Sequence, residues 1–171
     1  MNTTVGVFST HQEAEDAINE LRAFGVPESN LSYLYVDVDG RIRDDIGGKK
    51  VGSGAATGAT TGAVIGAIAG LAVANGVLPG LGTFFVAGPL AAALGLTGAV
   101  ATTAAGAATG LAAGGIIGAL SKIGIDSTDA ALYQSLVERG DVFVVAKTED
   151  LVTKDVFIKG GAKEVREYTG V

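Results

Sequence analysis

TVGVFSTHQEAEDAINELRAFGVPESNLSYLYVD, residues 4–37, reads as strand, helix, strand, and everything else in the chain is arranged around that unit. TVGVFS, 4–9, is a short run of β-branched and aromatic side chains. Thr10 and Glu13 then stand at the spacing of a capping box, in which each side chain satisfies the other's backbone N–H. Behind that box Ala14, Ala17, Ile18, Leu21 and Phe24 recur with helical period and predict one apolar stripe, ended by Gly25 and Pro27. LSYLYVD, 31–37, is the second strand, and Asp39-Gly40 signals a hairpin turn that adds a short strand through Arg41 to Arg43.

The same grammar returns near the C-terminus. Asp126, Ser127 and Thr128 cap a helix with Leu132, Tyr133, Leu136 and Val137 on one face, and Gly140 stops it. DVFVVAKT is a strand. Glu149 and Asp150 suit the positive start of a helix whose Leu151, Val152, Val156 and Phe157 face a core, and Gly160-Gly161 closes it before KEVREY. Two βαβ halves, 4–37 and 142–168, pairing into one four-stranded sheet with helices on one face predict an α+β fold of the ferredoxin-like type. A flavodoxin-like sheet would need further strands. The expected domain is discontinuous, 1–50 with 122–171, and its two charged parts are expected to complete the sheet without what lies between.

Between them, residues 51–121 contain no Asp, Glu, Lys, Arg or His, and all 12 basic and 18 acidic side chains flank this stretch. Glycine recurs there at every fourth position: Gly54, Gly58, Gly62, Gly66 and Gly70, then Gly98, Gly106, Gly110, Gly114 and Gly118, with Thr102 in the gap. Pro79 and Pro89, within GVLPGLGTFFVAGPLAAALG, divide the stretch into arms 51–78 and 90–121. At about 1.5 Å per residue each helical arm would reach roughly 40 Å, more than the ~30 Å core of a bilayer. Five interior glycines cost an isolated helix about 4–5 kcal/mol relative to alanine, so the ladder is better explained by close approach of a second helix. The expectation is an inserted glycine-zipper α-helical hairpin at 51–121 whose ladder residues drive homo-oligomerisation. A low-complexity linker does not account for the spacing or for the interleaved Val64, Ile65, Ile68, Leu71, Ile116, Ile117 and Leu120.

Two settings suit such a hairpin. Arg41, Arg43, Lys49, Lys50 and Lys122 cluster where both arms leave the charged parts, as basic residues do at a cytoplasmic bilayer face, and so predict insertion in, or docking on, the inner membrane. The weak apolarity of Ala, Gly and Thr, with an uncharged tip, predicts instead a soluble scaffold or shell subunit whose hairpins share an apolar interior. A small-ligand-binding regulatory module is a third class, and needs a pocket that the sequence does not reveal.

Composition narrows the chemistry. A net charge of −6 without clustered Lys and Arg disfavours nucleic acid. Zero cysteines exclude disulfides and thiolate metal sites. MNTTVGVFSTHQEAE has neither the basic start nor the apolar run of a secretory signal, so this end is expected in the cytoplasm. DVDGRIRDD, 37–45, echoes a calcium loop through Asp37, Asp39, Gly40 and Ile42, but Tyr35 and Ile46 occupy the two end ligand positions, which leaves a solvated turn. Gly47-Gly48-Lys49-Lys50 matches no phosphate-loop pattern. His11 is the only histidine and reads as a surface residue. Tyr33, Tyr35, Phe143 and Phe157 recur as core positions. No catalytic residue, metal, cofactor or small-molecule substrate is expected.

PGLGTFFVAGPLAAAL, then ALYQSLVERGDVFVVAKTED with Tyr133, Gly140 and Val144, then GGAKEV, carry a likeness over nearly the whole chain. In the order of its parts the sequence resembles the bacterial general stress protein and low-temperature-induced protein group. That resemblance implies a non-enzymatic role in stress physiology and supplies no catalytic residues.

Overall fold

The computed structural model describes residues 2–37, 73–78, 82–94, 115–149 and 152–169. The basic residues 41, 43, 49 and 50, the turn at 39–40, and every ladder glycine except Gly118 lie outside them. In chain order the elements are β1 (Asn2–Phe8), α1 (His11–Ala23), a 3-10 turn (Glu28–Asn30), β2 (Leu31–Asp37), β3 (Val73–Leu78), β4 (Gly82–Ala87), α2 (Pro89–Ala93), α3 (Gly115–Lys122), α4 (Ser127–Val137), β5 (Val142–Thr148), α5 (Val152–Lys159) and β6 (Glu164–Thr169).

Local chemistry sets the ends of these elements. Thr10 accepts from the Glu13 N–H at 3.3 Å while Glu13 accepts from the Thr10 N–H at 3.2 Å, so the capping box forms as read. Asp126 caps α4 by accepting from the Thr128 N–H at 2.8 Å. The fold is mixed α+β, built on one sheet of order β3-β4-β2-β5-β1-β6 in which every neighbouring pair is antiparallel.

Alternation along the strands sorts the core into two layers. Phe8, Leu31, Tyr33, Tyr35, Ala87, Val142, Val144 and Ala146 face α1 and α5, meeting Ala14, Ala17, Ile18, Leu21, Val156 and Phe157. Val5, Val7, Leu34, Val36, Val86, Phe143 and Val145 face the other way, against Leu90 and Leu94 at α2, Ile116 and Leu120 of α3, and Tyr133 and Val137 of α4. Helices therefore cover both faces, where one covered face was expected, because both sides of β1, β2 and β5 are apolar. Gly6 belongs to the first layer: a Cβ there would stand 2.7 Å from the Phe157 ring, whose edge meets Phe8 at a centroid distance of 5.6 Å.

The middle of the uncharged stretch departs from the reading. Two long helical arms meeting at a turn were expected. Instead, Val73–Leu78 and Gly82–Ala87 are strands, joined to the sheet through β4 on β2, with Tyr33 opposite Ala87 and Tyr35 opposite Phe85. The physical reason is visible in TFFVA and VANGVL, whose β-branched and aromatic residues favour a pleated surface more than the small-residue spacing favours a helix. Gly88 makes the turn from β4 into α2 at φ +73°, and a Cβ there would lie 1.8 Å from the Leu31 carbonyl oxygen. Beside it the Leu90 N–H donates to the buried Ser32 hydroxyl at 3.2 Å.

β2 and β3 are each antiparallel to β4, hence parallel to one another. Asp37 is opposite Thr83 and Val73 is opposite Ala87, so the connection 38–72 leaves one end of the sheet and re-enters at the other. Leu94 and Ile116, which bound 95–115, belong to the same apolar layer.

Joining 1–45 to 123–171 through a short linker removes β3, β4, α2 and α3. Leu34, Val36 and Val145 then lose Val86, Leu90, Ile116 and Leu120, side chains whose burial is worth about 1.5–3 kcal/mol each. The product is expected to bind a hydrophobic dye and to melt without cooperativity; a sharp thermal transition would show that the two charged parts suffice.

Candidate functional site

Of the ladder glycines only Gly118 lies among the described residues, and of the basic cluster only Lys122. Both are on α3. Ile116, Ala119 and Leu120 turn the buried face of this helix into the core, whereas Gly118 and Lys122, one turn apart, share its outward side. A Cβ at Gly118 would meet nothing within 4 Å. Exposed Lys122 donates from Nζ to the Ala93 carbonyl at 3.3 Å, which ties the end of α3 to the end of α2. Gly118 is thus a gap on an open surface, with no helix of its own chain seated in it among the described residues.

Two tyrosine clusters were not foreseen as units. On the α4 side the Tyr133 and Tyr168 hydroxyls are 2.9 Å apart, Tyr168 donates to Asp129 Oδ2 at 2.8 Å, and Arg166 donates to Asp129 Oδ1 at 2.6 Å. Arg166 also pairs with Glu164 at 2.7 Å. Asp129 and Tyr133 are four apart on a helix, and Glu164, Arg166 and Tyr168 are two apart on a strand, so the spacing was a usable signal. Burial pushes the Tyr168 hydroxyl well above its ordinary value, helped by its bonds to Tyr133 and Asp129; burial also raises Tyr133. On the α1 side His11 Nδ1 bonds the Tyr33 hydroxyl, and the His11 ring meets Tyr35 edge-on at a centroid distance of 4.0 Å. Burial, with Tyr35 and Glu15 beside it, raises Tyr33 far above its ordinary range. His11, read as a surface residue, is half-buried in this cluster.

All three hydroxyls are shifted away from neutrality, opposite to what a general acid or base needs near pH 7. Their arrangement fastens α4 to β6 and α1 to β2. A cleft of about 250 Å³ opens beside Phe24, Val26, Asn30, Lys147 and Glu149. It is smaller than the ~300–1,000 Å³ of ordinary small-molecule sites. Among the described residues there is no group of three His, Cys, Asp or Glu side chains able to hold a metal ion. Nor is any helix among them long and apolar enough to cross a membrane.

Comparison with known proteins adds no assignment: no family model, no curated protein and no solved structure matches this chain.

Gly118→Ala is expected to stabilise the fold by up to about 1 kcal/mol, since helix propensity improves and the space is open. Gly118→Leu should leave the circular dichroism unchanged but weaken any assembly that uses this face. Assembly equal to that of the parent would show that the outward side of α3 takes no part.

A second expectation concerns alkaline pH. Because the folded-state values of Tyr33, Tyr133 and Tyr168 are raised above an unfolded value near 10, their contribution is fully present below about pH 10 and is lost as pH rises through the folded values. Denaturant midpoints measured from pH 8 to 12 should fall above about pH 10, and less steeply in Tyr168→Phe, which costs roughly 1–2 kcal/mol at neutral pH through its lost hydrogen bonds. Identical slopes for the two proteins would refute a role for Tyr168.

Proposed function

We propose that this protein is a non-enzymatic, stress-associated scaffold: a ferredoxin-like α+β platform that self-associates through the uncharged stretch inserted in it. The interleaving of β1-α1-β2 with β5-α5-β6, in the order β2-β5-β1-β6 with α1 and α5 on one face, supports the ferredoxin-like part. The stress-associated part rests on the resemblance carried by PGLGTFFVAGPLAAAL and ALYQSLVERGDVFVVAKTED.

One observation supports the soluble setting over the membrane one. A hairpin that spans a bilayer carries its tip to the far side, and the tip segment here, 79–89, includes β4, hydrogen-bonded to the central strand β2 with Val86 and Ala87 fully buried. The remaining uncharged runs, 51–72 and 95–114, lie outside the described residues and are 22 and 20 residues long. A run of 20 to 22 residues is enough for one crossing and too short for the two that a return requires. The geometry therefore favours a self-assembling subunit over an inserted membrane hairpin.

On cell fractionation the protein is expected in the supernatant as particles larger than one 16.9 kDa chain, with Gly62→Leu and Gly110→Leu reducing their size. Sedimentation with membranes and release by detergent alone would reverse the choice of setting. A monomer at micromolar concentration would remove self-association altogether.

A further inference from the structure

The two edges of the sheet are guarded differently. β6, at one edge, carries Glu164, Arg166 and Glu167, with Arg166 held between Asp129 and Glu164. Charged side chains along an edge strand oppose pairing with another chain. β3, at the other edge, reads VANGVL and lies inside the stretch without a formal charge. It also contains no proline, and among the described residues no strand pairs with its outer side. Among the described residues, that side is therefore an open strand edge.

Charge distribution says what can occupy that edge. Each chain carries a net −6, and every charged side chain lies outside 51–121. Two copies approaching through their charged parts repel; two copies approaching through β3 bring together strands with no charge. We infer that β3 pairs antiparallel with β3 of a second copy, extending two six-stranded sheets into one across a two-fold axis. An antiparallel pair of identical strands is self-complementary, so the contact closes on itself, and the charged β6 edges prevent propagation into a fibre. This rests on the proposal of self-association and specifies where and in what orientation copies meet.

The absence of cysteine makes the test clean. Single cysteines placed in turn at residues 73 to 78, with Thr169→Cys on β6 as control, are oxidised mildly in the full-length protein. Strands paired about a two-fold axis bring only the residues nearest the axis within disulfide range of their own copies. Covalent dimer should peak at one or two adjacent positions of β3, fall off on both sides, and be absent from Thr169→Cys. In parallel, Asn75→Lys with unchanged circular dichroism should lose the dimer in mass photometry. Crosslinking that is flat along β3, or no greater than at Thr169→Cys, overturns the inference. If crosslinking is flat while Gly62→Leu still disperses the particles, self-association stands and only the β3 contact falls. A monomeric parent protein overturns both.

Discussion

The rest of the structure depends on β2 being hydrogen-bonded along both of its edges. On one side Tyr33 and Leu34 stand opposite Val144 and Phe143 of β5; on the other they stand opposite Ala87 and Val86 of β4. One of those partners comes from a charged part of the chain and the other from the uncharged stretch, so a single strand joins sequence segments of opposite character. Because β2 is interior, both of its faces are apolar and both need cover. Tyr33 and Tyr35 find it under α1, and Leu34 and Val36 find it under α2 to α4. The tight fit of Gly88 against Leu31 and the bond from the Leu90 N–H to Ser32 follow from that junction.

Much of this was legible where local signals and tertiary packing agree. The capping box at Thr10 and Glu13, the stripe Ala14, Ala17, Ile18 and Leu21, and the strand read in DVFVVAKT all describe what forms. The misreadings of single residues are few. Phe24 continues the stripe by spacing but lies past the last turn of α1, where it is 60 % exposed; Leu132 is exposed because Ala130, Tyr133 and Val137 form the buried face of α4, and Val152 because Thr153, Val156 and Phe157 form that of α5. The larger miss is 73–87. A four-residue glycine period is a statement about which residues share a helix face; the first arm, 51–78, carries it over VANGVL and leaves GTFFVA in the tip between the arms, although β-branched and aromatic side chains there signal strands. The two tyrosine clusters escaped because each joins residues over 20 positions apart, and only the completed sheet brings them together.

An uncharged run of 71 residues invites a lipid explanation, since apolar sequence avoids water. A sheet offers the same refuge. Val86, Leu90, Leu94, Ile116 and Leu120, all from that run, are buried against β1, β2 and β5. With those segments placed in the sheet, the length of the uncharged run does not by itself call for lipid. The rest of that run, 51–72 and 95–114, lies outside the described residues.

Self-association then becomes a question of where like-charged molecules can touch. The α4 to β6 side is occupied by Asp129, Glu164, Arg166 and Lys163, whose ion pairs are partly exposed and worth little to stability singly, yet give that side a fixed charge pattern. The strands at the opposite end of the sheet, β3 and β4, contain no charged residue of their own. At physiological ionic strength repulsion between the charged parts is screened beyond about 8 Å, so it sets orientation without forbidding contact. Under the self-association proposed above, an acidic chain with an uncharged edge strand meets its copy at that strand, where charge opposes contact least.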